Sequence, residues 1–289
     1  MPQVRFLALV VALAVAAGPA RTPVSAWGAQ GHRLVGMIAA RHLSAVATRN
    51  VEWLLAPQTL ADVANWADEV RGGINQTGPW HYVNMPPDAK AYDRDRDCPR
   101  QPGVSAGSRD DAWRDCIVDR IAYHEQRLAD TRLDRADRAI ALKFLVHFVG
   151  DLHQPLHASA IERGGNGILV KQFGSETCGS DPARSAPCNL HGAWDSGMIA
   201  HRGLDDRAFA AVLERRVTDD RLLNQAPGTP AAWAFESLVI SNRVLLPQQG
   251  SVDEAYYTGN IGVIEQRLAA AGARLAQVLN RALPSPPPS

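Results

Sequence analysis

The chain has no excess of charge of either sign, since 30 Lys and Arg residues balance 30 Asp and Glu residues. A protein that holds nucleic acid through a broad basic surface is therefore excluded. Cysteines are few, four in all, and none has the C-x-x-C spacing of a thiolate zinc site. Beyond residue 26 no segment has the roughly 18 consecutive apolar residues of a membrane span, so no such span is expected there.

The first 26 residues have the pattern of an export signal. Arg5 precedes an apolar run at 6–17 that is too short to cross a bilayer, and Val24-Ser25-Ala26 is a small-residue cleavage site. An uncleaved anchor is the alternative. Cleavage after Ala26 removes two arginines and no acid, so the mature chain begins at Trp27 with a formal charge of −2. We expect this chain to be secreted or periplasmic.

An exported chain with an even number of cysteines favours disulfides. Cys98, Cys116, Cys178 and Cys188 allow three pairings. We favour Cys98 with Cys116 and Cys178 with Cys188, because each pair closes a short loop rich in Pro and Gly. All four cysteines are interpreted as structural.

Most of the mature chain has the 3.6-residue apolar period of helices. Helices are predicted at 31–44, 51–55, 60–70, 111–128, 190–200, 205–217, 231–246 and 261–283. Asp134 opens a further helix that is apolar on nearly all sides and is expected to be central, with Pro155 ending it. A surface loop is predicted at 84–110, and a Gly-Gly-Asn turn at 164–167 precedes a short strand at 168–170. We expect one mainly α-helical domain at 27–283 with a small β-hairpin, and a Pro/Ser-rich tail at 284–289.

Histidine and aspartate recur four residues apart, which places them on one face of a helix. His147 and Asp151 form such a pair in the apolar helix, and His191 and Asp195 form another. A buried unpaired carboxylate is costly, and a metal ion bound by both side chains would remove that cost. A buried ion pair is the alternative for either pair alone. Further candidate ligands are His32, Asp68, His81 and His157. Imidazoles and carboxylates without thiolates suit catalytic zinc.

The remaining histidines are interpreted differently. His42, His124 and His201 lie among polar helix residues and are expected at the surface. His153 shares the central motif, but its two-residue offset from Asp151 directs it elsewhere. Whether His153 supports a ligand or is one stays open.

Together these motifs resemble the zinc-dependent single-strand-specific nuclease family, which includes fungal and plant nucleases and is related to zinc phospholipase C. The matching elements, in family order, are Trp27, His32, the W-A-D of Asp68, the W-H-Y-V-N of His81, the H-x3-D-x5-H from His147 to His157, and the H-x3-D from His191 to Asp195. The resemblance implies a single-domain helical bundle of the phospholipase C type.

The resemblance also implies three zinc ions as cofactors. One would be held by Asp68, His81, His147 and Asp151. A second would be held by the amino group and carbonyl of Trp27, by His32 and by Asp151 as a bridge. A third would be held by His157, His191 and Asp195. Signal cleavage would then be required, because only a free, deprotonated amine binds metal. The alternative for Trp27 is an aromatic residue that merely follows the cleavage site.

The implied activity is endonucleolytic hydrolysis of single-stranded DNA and RNA to 5′-phosphate products, with 3′-nucleotidase activity and a metal-activated water as nucleophile. Asp68, Arg71 and Asp151 would be catalytic. Tyr82 would stack on a base, Asn84 would contact the base edge, and Asn166 would contact phosphate. The expected partners are single-stranded DNA, RNA and nucleotides, with no membrane, and the protein is expected to be a monomer.

Several alternatives stay open. Arg71 can be an ordinary surface arginine, and Tyr82 can be a core aromatic. Fungal members carry Phe and Asp where Tyr82 and Asn84 stand, which leaves the base preference undecided. Zinc phospholipase C is the alternative enzyme, but that family has Glu in the last H-x3-acid pair, so Asp195 favours a nuclease. A non-catalytic zinc-binding protein is a third class.

Overall fold

The computed structural model describes residues 27–72, 76–100, 113–179, 185–225 and 227–287. The predicted signal at 1–26 and its cleavage after Ala26 lie outside the described residues, as does part of the predicted surface loop. Within the described ranges no helix combines the length and apolar character needed to cross a membrane.

The protein is mainly α-helical, as predicted. The α-helices are α1 (Ala29–Arg41), α2 (Ala45–Leu55), α3 (Trp66–Glu69), α4 (Arg94–Asp97), α5 (Ile117–Ala129), α6 (Arg135–His153), α7 (Leu190–Gly192), α8 (Met198–His201), α9 (Asp206–Asp219), α10 (Pro230–Val244) and α11 (Glu254–Ala282). Among the described residues, short 3-10 helices lie at Gly78–His81, Pro155–Ala158 and Leu222–Asn224, and a π-helical turn at Ala193–Gly197 joins α7 to α8.

Helix α6 is central, as its apolar sequence predicted. Every residue from 144 to 153 is buried. The helix packs against α5, α11, α10 and α1. Because His147 and Asp151 lie in this stretch, the fold places both of them in the interior.

Side-chain caps explain where several helices begin. A hydroxyl or carboxylate accepts a hydrogen bond from a backbone N–H of the first turn in α2, α6, α9, α10 and α11; the capping residues are Ser44, Asp134, Asp205, Thr229 and Asp253. Such a cap satisfies a donor that the helix itself leaves unpaired. The Asp253 cap starts α11 seven residues before the predicted helix at 261–283.

Pro155 ends α6, as predicted, and begins a single 3-10 turn. Gln154 stabilises this break, since its side-chain oxygen accepts from Leu156 N at 2.6 Å and its amide nitrogen donates to Asp195 Oδ1 at 2.6 Å. The chain therefore changes direction between Asp151 and His157, and the two side chains enter the site from different sides.

The described part of the chain has four strands, β1 (Val170–Gln172), β2 (Thr177–Cys178), β3 (Ala186–Pro187) and β4 (Gly250–Val252). The antiparallel pair of β2 and β3 corresponds to the small predicted hairpin. The strand predicted at 168–170 begins only at Val170, as β1, and pairs in parallel with the distant β4. Disulfides join Cys98 to Cys116 and Cys178 to Cys188, which confirms the favoured pairing.

The surface position predicted for His124 is wrong. This side chain is 3% exposed and stacks on Phe144 with 4.5 Å between ring centroids. Burial, with Arg120 and Arg127, lowers its pKa well below the usual value. The polar neighbours of His124 in sequence were misleading, because the face of α5 that carries His124 packs directly on α6.

A partly buried ionic cluster fixes the end of α6 to α10 and α11. Glu236 accepts hydrogen bonds from Arg267 at 2.9 Å and from Arg274 at 2.7 and 2.9 Å. Arg267 also donates to the backbone oxygen of His153 at 3.1 Å, and Ser237 Oγ donates to that of Leu152 at 2.6 Å. These bonds satisfy carbonyls that the end of a helix leaves unpaired.

Glu236→Gln should destabilise the protein. The substitution leaves the buried Arg267 guanidinium without its carboxylate. Because Glu236 itself is 40% exposed, we expect the free energy of unfolding to fall by only about 1–3 kcal/mol. The melting temperature should fall by several degrees in a circular dichroism melt. Glu254→Gln is the matched control, because Glu254 is 73% exposed and pairs with the surface residue His201. Equal melting temperatures for the two variants would contradict the assigned role.

Candidate metal centre and substrate cleft

The Asp151 carboxylate is the meeting point of three imidazoles. Its Oδ1 lies 3.1 Å from Nε2 of His32 on α1. Its Oδ2 lies 2.9 Å from Nδ1 of His81 and 3.2 Å from Nε2 of His147. All four side chains are fully buried. Residues far apart in sequence thus converge on one carboxylate.

Asp68 extends this cluster. Its Oδ1 lies 3.6 Å from both His81 Nδ1 and His147 Nε2. The ligand atoms therefore form two overlapping groups, each within 4.8 Å, namely His32–His147–Asp151 and Asp68–His81–His147. His147 belongs to both groups, whereas the sequence assigned it to one ion.

A third group comprises His157, His191 and Asp195. His191 Nε2 lies 3.2 Å from Asp195 Oδ2, and His157 Nε2 lies 3.9 Å from Asp195 Oδ1. The 3-10 turn after Pro155 supplies His157, while α7 and the following π-helical turn supply the other two residues. Eight of the nine predicted ligands thus fall into compact groups, and Trp27 is the exception. A further cluster of Cys98, Cys116 and Asp119 is no candidate, because its two sulfurs form a disulfide.

Backbone carbonyls orient three of the imidazoles. Nδ1 of His147 bonds to Ala64 O at 2.7 Å, that of His157 to His81 O at 2.8 Å, and that of His191 to Gly164 O at 2.6 Å. A carbonyl accepts only from a protonated Nδ1, so Nε2 of each ring is the free ligand atom. Within the described residues, the buried Nε2 of His147 and of His157 makes no hydrogen bond.

Electrostatics at Asp151 favours a bound cation. Burial raises the pKa of Asp151, but the three histidines lower it more, to well below its usual range. Burial lowers the pKa of His147, yet Asp151 and Asp68 raise it to about 10. Burial lowers the pKa of His81 to about 4 despite Asp151. The two carboxylates therefore stabilise a positive charge between them, which is the charge that a divalent cation would bring.

The third group is electrostatically different. Burial raises the pKa of Asp195 well above its usual value, although Gln154 opposes this. Burial, with His157 nearby, lowers the pKa of His191 to about 3. Both shifts disfavour charged side chains, so a bound cation is what would stabilise the Asp195 carboxylate. Imidazole and carboxylate donors with unpaired buried ligand atoms fit zinc in all three groups.

Trp27, the first described residue, is completely buried. The neighbouring Gly28 N donates to the backbone oxygen of Asp195 at 2.6 Å. The two segments pack so closely here that only glycine fits at position 28, since a Cβ would lie 2.0 Å from Ser196 Oγ. The start of the described chain is thus held beside a residue of the third group.

The residues predicted to bind substrate line one cleft of about 650 Å³. Arg71, Tyr82, Asn84 and Asn166 all contribute to its walls, together with His157 and His191. Arg71 Nη1 lies 3.7 Å from Asp68 Oδ1, so this guanidinium links the cleft to the cluster around Asp151. Tyr82 is half-buried with a surface in the cleft, which argues against a core aromatic.

Sequence reasoning missed several residues of this site. Arg163, Ser159 and Asn189 also line the cleft. Arg163 directly precedes the Gly-Gly-Asn turn, and this sequence position was the signal that could have identified it as a site residue.

His153 faces away from the candidate ligand groups. Its Nδ1 bonds to Val149 O at 2.7 Å and its Nε2 accepts from Arg274 at 2.9 Å. His153 therefore supports α6 and is not a member of these groups.

A mainly helical fold in which buried imidazole and carboxylate groups lie beside an arginine-lined cleft defines a metal-dependent hydrolase. The chain belongs to the S1/P1 Nuclease family, whose model matches residues 27–284. It is therefore an enzyme of a family that hydrolyses phosphodiester bonds.

Individual relatives cover nearly the whole chain. Nuclease PA3 of Penicillium sp and Nuclease P1 of Penicillium citrinum are each 31% identical to it over 287 residues, covering 88% of this chain and 97% of the relative. Nuclease S1 of Aspergillus oryzae is 29% identical, covering 88% of this chain and 91% of the relative.

Asp151→Asn should lower the metal content of the purified protein and reduce activity by more than about 100-fold, because it removes the carboxylate charge at the meeting point of three imidazoles. Elemental analysis and hydrolysis of a phosphodiester measure the two effects. Asp137→Asn on the same helix is the control, since Asp137 pairs with Arg127 and is 46% exposed. Unchanged metal content in Asp151→Asn would contradict the assignment.

Proposed function

We propose that this protein is an endonuclease that hydrolyses single-stranded DNA and RNA to 5′-phosphate products, with 3′-nucleotidase activity. The observation that carries the proposal is a cleft in which an aromatic face, Tyr82, and a guanidinium, Arg71, lie beside the candidate ligands His157 and His191. Base stacking and phosphate attraction are the two interactions that bind single strands without regard to sequence.

The proposed cofactor is a set of three zinc ions. Asp68, His81, His147 and Asp151 would hold the first; Trp27, His32 and Asp151 the second; and His157, His191 and Asp195 the third. The compact grouping of eight of these side chains and the unpaired buried Nε2 atoms support this set. When bound, such ions supply Lewis acidity and lower the pKa of coordinated water.

The chain's own side chains would bind and orient the substrate around this centre. Arg71 would hold a non-bridging oxygen of the scissile phosphate, and Asn166 would donate a hydrogen bond to the same group. Tyr82 would stack on the adjacent base, with Asn84 contacting the base edge. A base can enter this pocket only when it is unstacked from its neighbours, which favours single strands over a duplex.

Activity should be high on a single-stranded oligonucleotide, at least about 10-fold lower on the matching duplex, and absent on phosphatidylcholine. The physical reason is that only the single strand presents a free base to Tyr82. Gel analysis of labelled products measures the rate, and phosphatase sensitivity of the new 5′ ends identifies the position of the phosphate. Preferential hydrolysis of phosphatidylcholine would instead indicate a phospholipase C, and zinc binding without turnover would indicate a non-catalytic protein.

We further propose that residues 27–283 form one catalytic domain, active as a monomer, that is secreted or periplasmic after cleavage behind Ala26. The complete burial of Trp27 and the bond from Gly28 to Asp195 support a role for the new terminus in the site. A free amine at Trp27 would then be a metal ligand.

A protein that retains one extra residue before Trp27 should contain about one zinc ion fewer per chain and lose most of its activity, because the amine becomes an amide. Elemental analysis and mass spectrometry of the N-terminus check this prediction. The control is the same extension followed by a protease site that regenerates Trp27. Full zinc content in the extended protein would exclude the terminal amine as a ligand.

A further inference from the structure

We propose that Arg163 binds a second phosphate of the substrate strand, next to the scissile one, and so favours polynucleotides over substrates with a single phosphate. This inference rests on the proposed nuclease function and assigns a binding subsite within the same cleft. The two arginines of the cleft lie next to different groups of candidate ligands. Arg71 lies beside Asp68, whereas Arg163 lies beside the third group.

Arg163 is exposed and lines the cleft together with Arg71, His157 and His191. Among the described residues that line this cleft, the charged side chains are arginines and none is a carboxylate. The side chain of Glu162, adjacent in sequence, is directed at Gly167, since a Cβ there would lie 2.4 Å from Glu162 Oε2. The cleft wall therefore attracts anions at two separate positions.

The guanidinium of Arg163 also makes no ion pair with a carboxylate in the described part of the chain. Other arginines of the protein do form such pairs, for example Arg33 with Asp206 at 2.6 Å. An exposed, unneutralised guanidinium beside a site that cleaves phosphodiesters suits contact with the phosphate backbone.

The backbone around Arg163 has an uncommon conformation that ties it to the metal-ligand group. Glu162, Arg163, Gly164 and Gly165 have successive φ values of 46°, 57°, 65° and 78°. Non-glycine residues seldom adopt positive φ, and such conformations cluster at functional sites. Within this turn, Gly164 O bonds to His191 Nδ1, and a Cβ on Gly164 would lie 2.5 Å from Leu156 O.

The next residues hold the same turn from the other side. Asn166 Nδ2 donates to Arg163 O at 2.8 Å, and Asn166 N donates to the same oxygen at 3.4 Å. The buried Oδ1 of Asn166 has no hydrogen-bond partner in the described residues. One rigid turn thus fixes the ligand His191 and presents Arg163 and Asn166 at the cleft.

A substrate with one phosphodiester places that group at the metal centre and has nothing for Arg163 to bind. A longer strand carries a further phosphate along its backbone, which Arg163 attracts. Loss of this contact should raise KM for long substrates and leave kcat nearly unchanged, because the bond-breaking site is untouched.

The experiment compares the wild-type holoenzyme with Arg163→Gln and Arg163→Lys on a thymidine dodecamer and on the thymidine dinucleotide, which has one phosphodiester. If the dinucleotide is cleaved too slowly, its inhibition constant against the dodecamer is measured instead. Arg207→Gln is the matched control, because Arg207 is an exposed arginine on α9 and does not line the cleft. Zinc content and melting temperature establish that each variant is intact.

Arg163→Gln should raise KM for the dodecamer about 5- to 20-fold at low salt, with less effect for Arg163→Lys and none for the dinucleotide. The slope of log(kcat/KM) against log[salt] should become shallower by about 0.7, the value for one phosphate contact on a single strand. An unchanged dodecamer KM, or an equal loss on both substrates, would overturn the proposal. Failure of the wild type to cleave the dodecamer would instead overturn the proposed function itself.

Discussion

The structure depends on one buried carboxylate, Asp151, that three imidazoles surround at 2.9–3.2 Å. Such a group is stable in the interior only when positive charge compensates it. In the absence of metal, the protonated His147 supplies that charge, because Asp151 and Asp68 raise its pKa to about 10 despite its burial, whereas burial lowers the pKa of His32 and of His81. A cation held between these side chains would supply the charge instead. Helix α6 carries both His147 and Asp151, so the packing of the whole bundle around α6 determines where this centre lies.

Backbone carbonyls orient the candidate ligand side chains of the site. Carbonyls of Ala64, His81 and Gly164 fix the tautomer of His147, His157 and His191, and all three belong to turns or short helices rather than to long helices. The His81 residue serves twice, because its side chain faces Asp151 and its carbonyl orients His157. The candidate ligand groups around Asp151 and Asp195 are thereby linked through one residue.

The ends of the central helix illustrate how stability and function share the same elements. Gln154 and Pro155 end α6, and the amide of Gln154 then bonds to the carboxylate of Asp195. Behind this point, Arg267 bonds to the His153 carbonyl and to Glu236. A polar cluster outside the cleft therefore holds the end of α6, which carries His147 and Asp151, against α10 and α11.

Local sequence was sufficient for several features because their causes are local. The four-residue spacing of His147 and Asp151 sets a shared helix face, Pro155 ends that helix, and Asp134 caps it. The order of the motifs was sufficient for the family, for the candidate ligands that the fold brings together, and for the cleft residues Arg71, Tyr82, Asn84 and Asn166. Tertiary structure decided the rest: His124 became buried, β1 paired with a strand some eighty residues away, and Arg163 joined the cleft. Burial, strand partners and cleft walls arise from contacts between distant segments, and the spacing of residues along a chain does not specify such contacts.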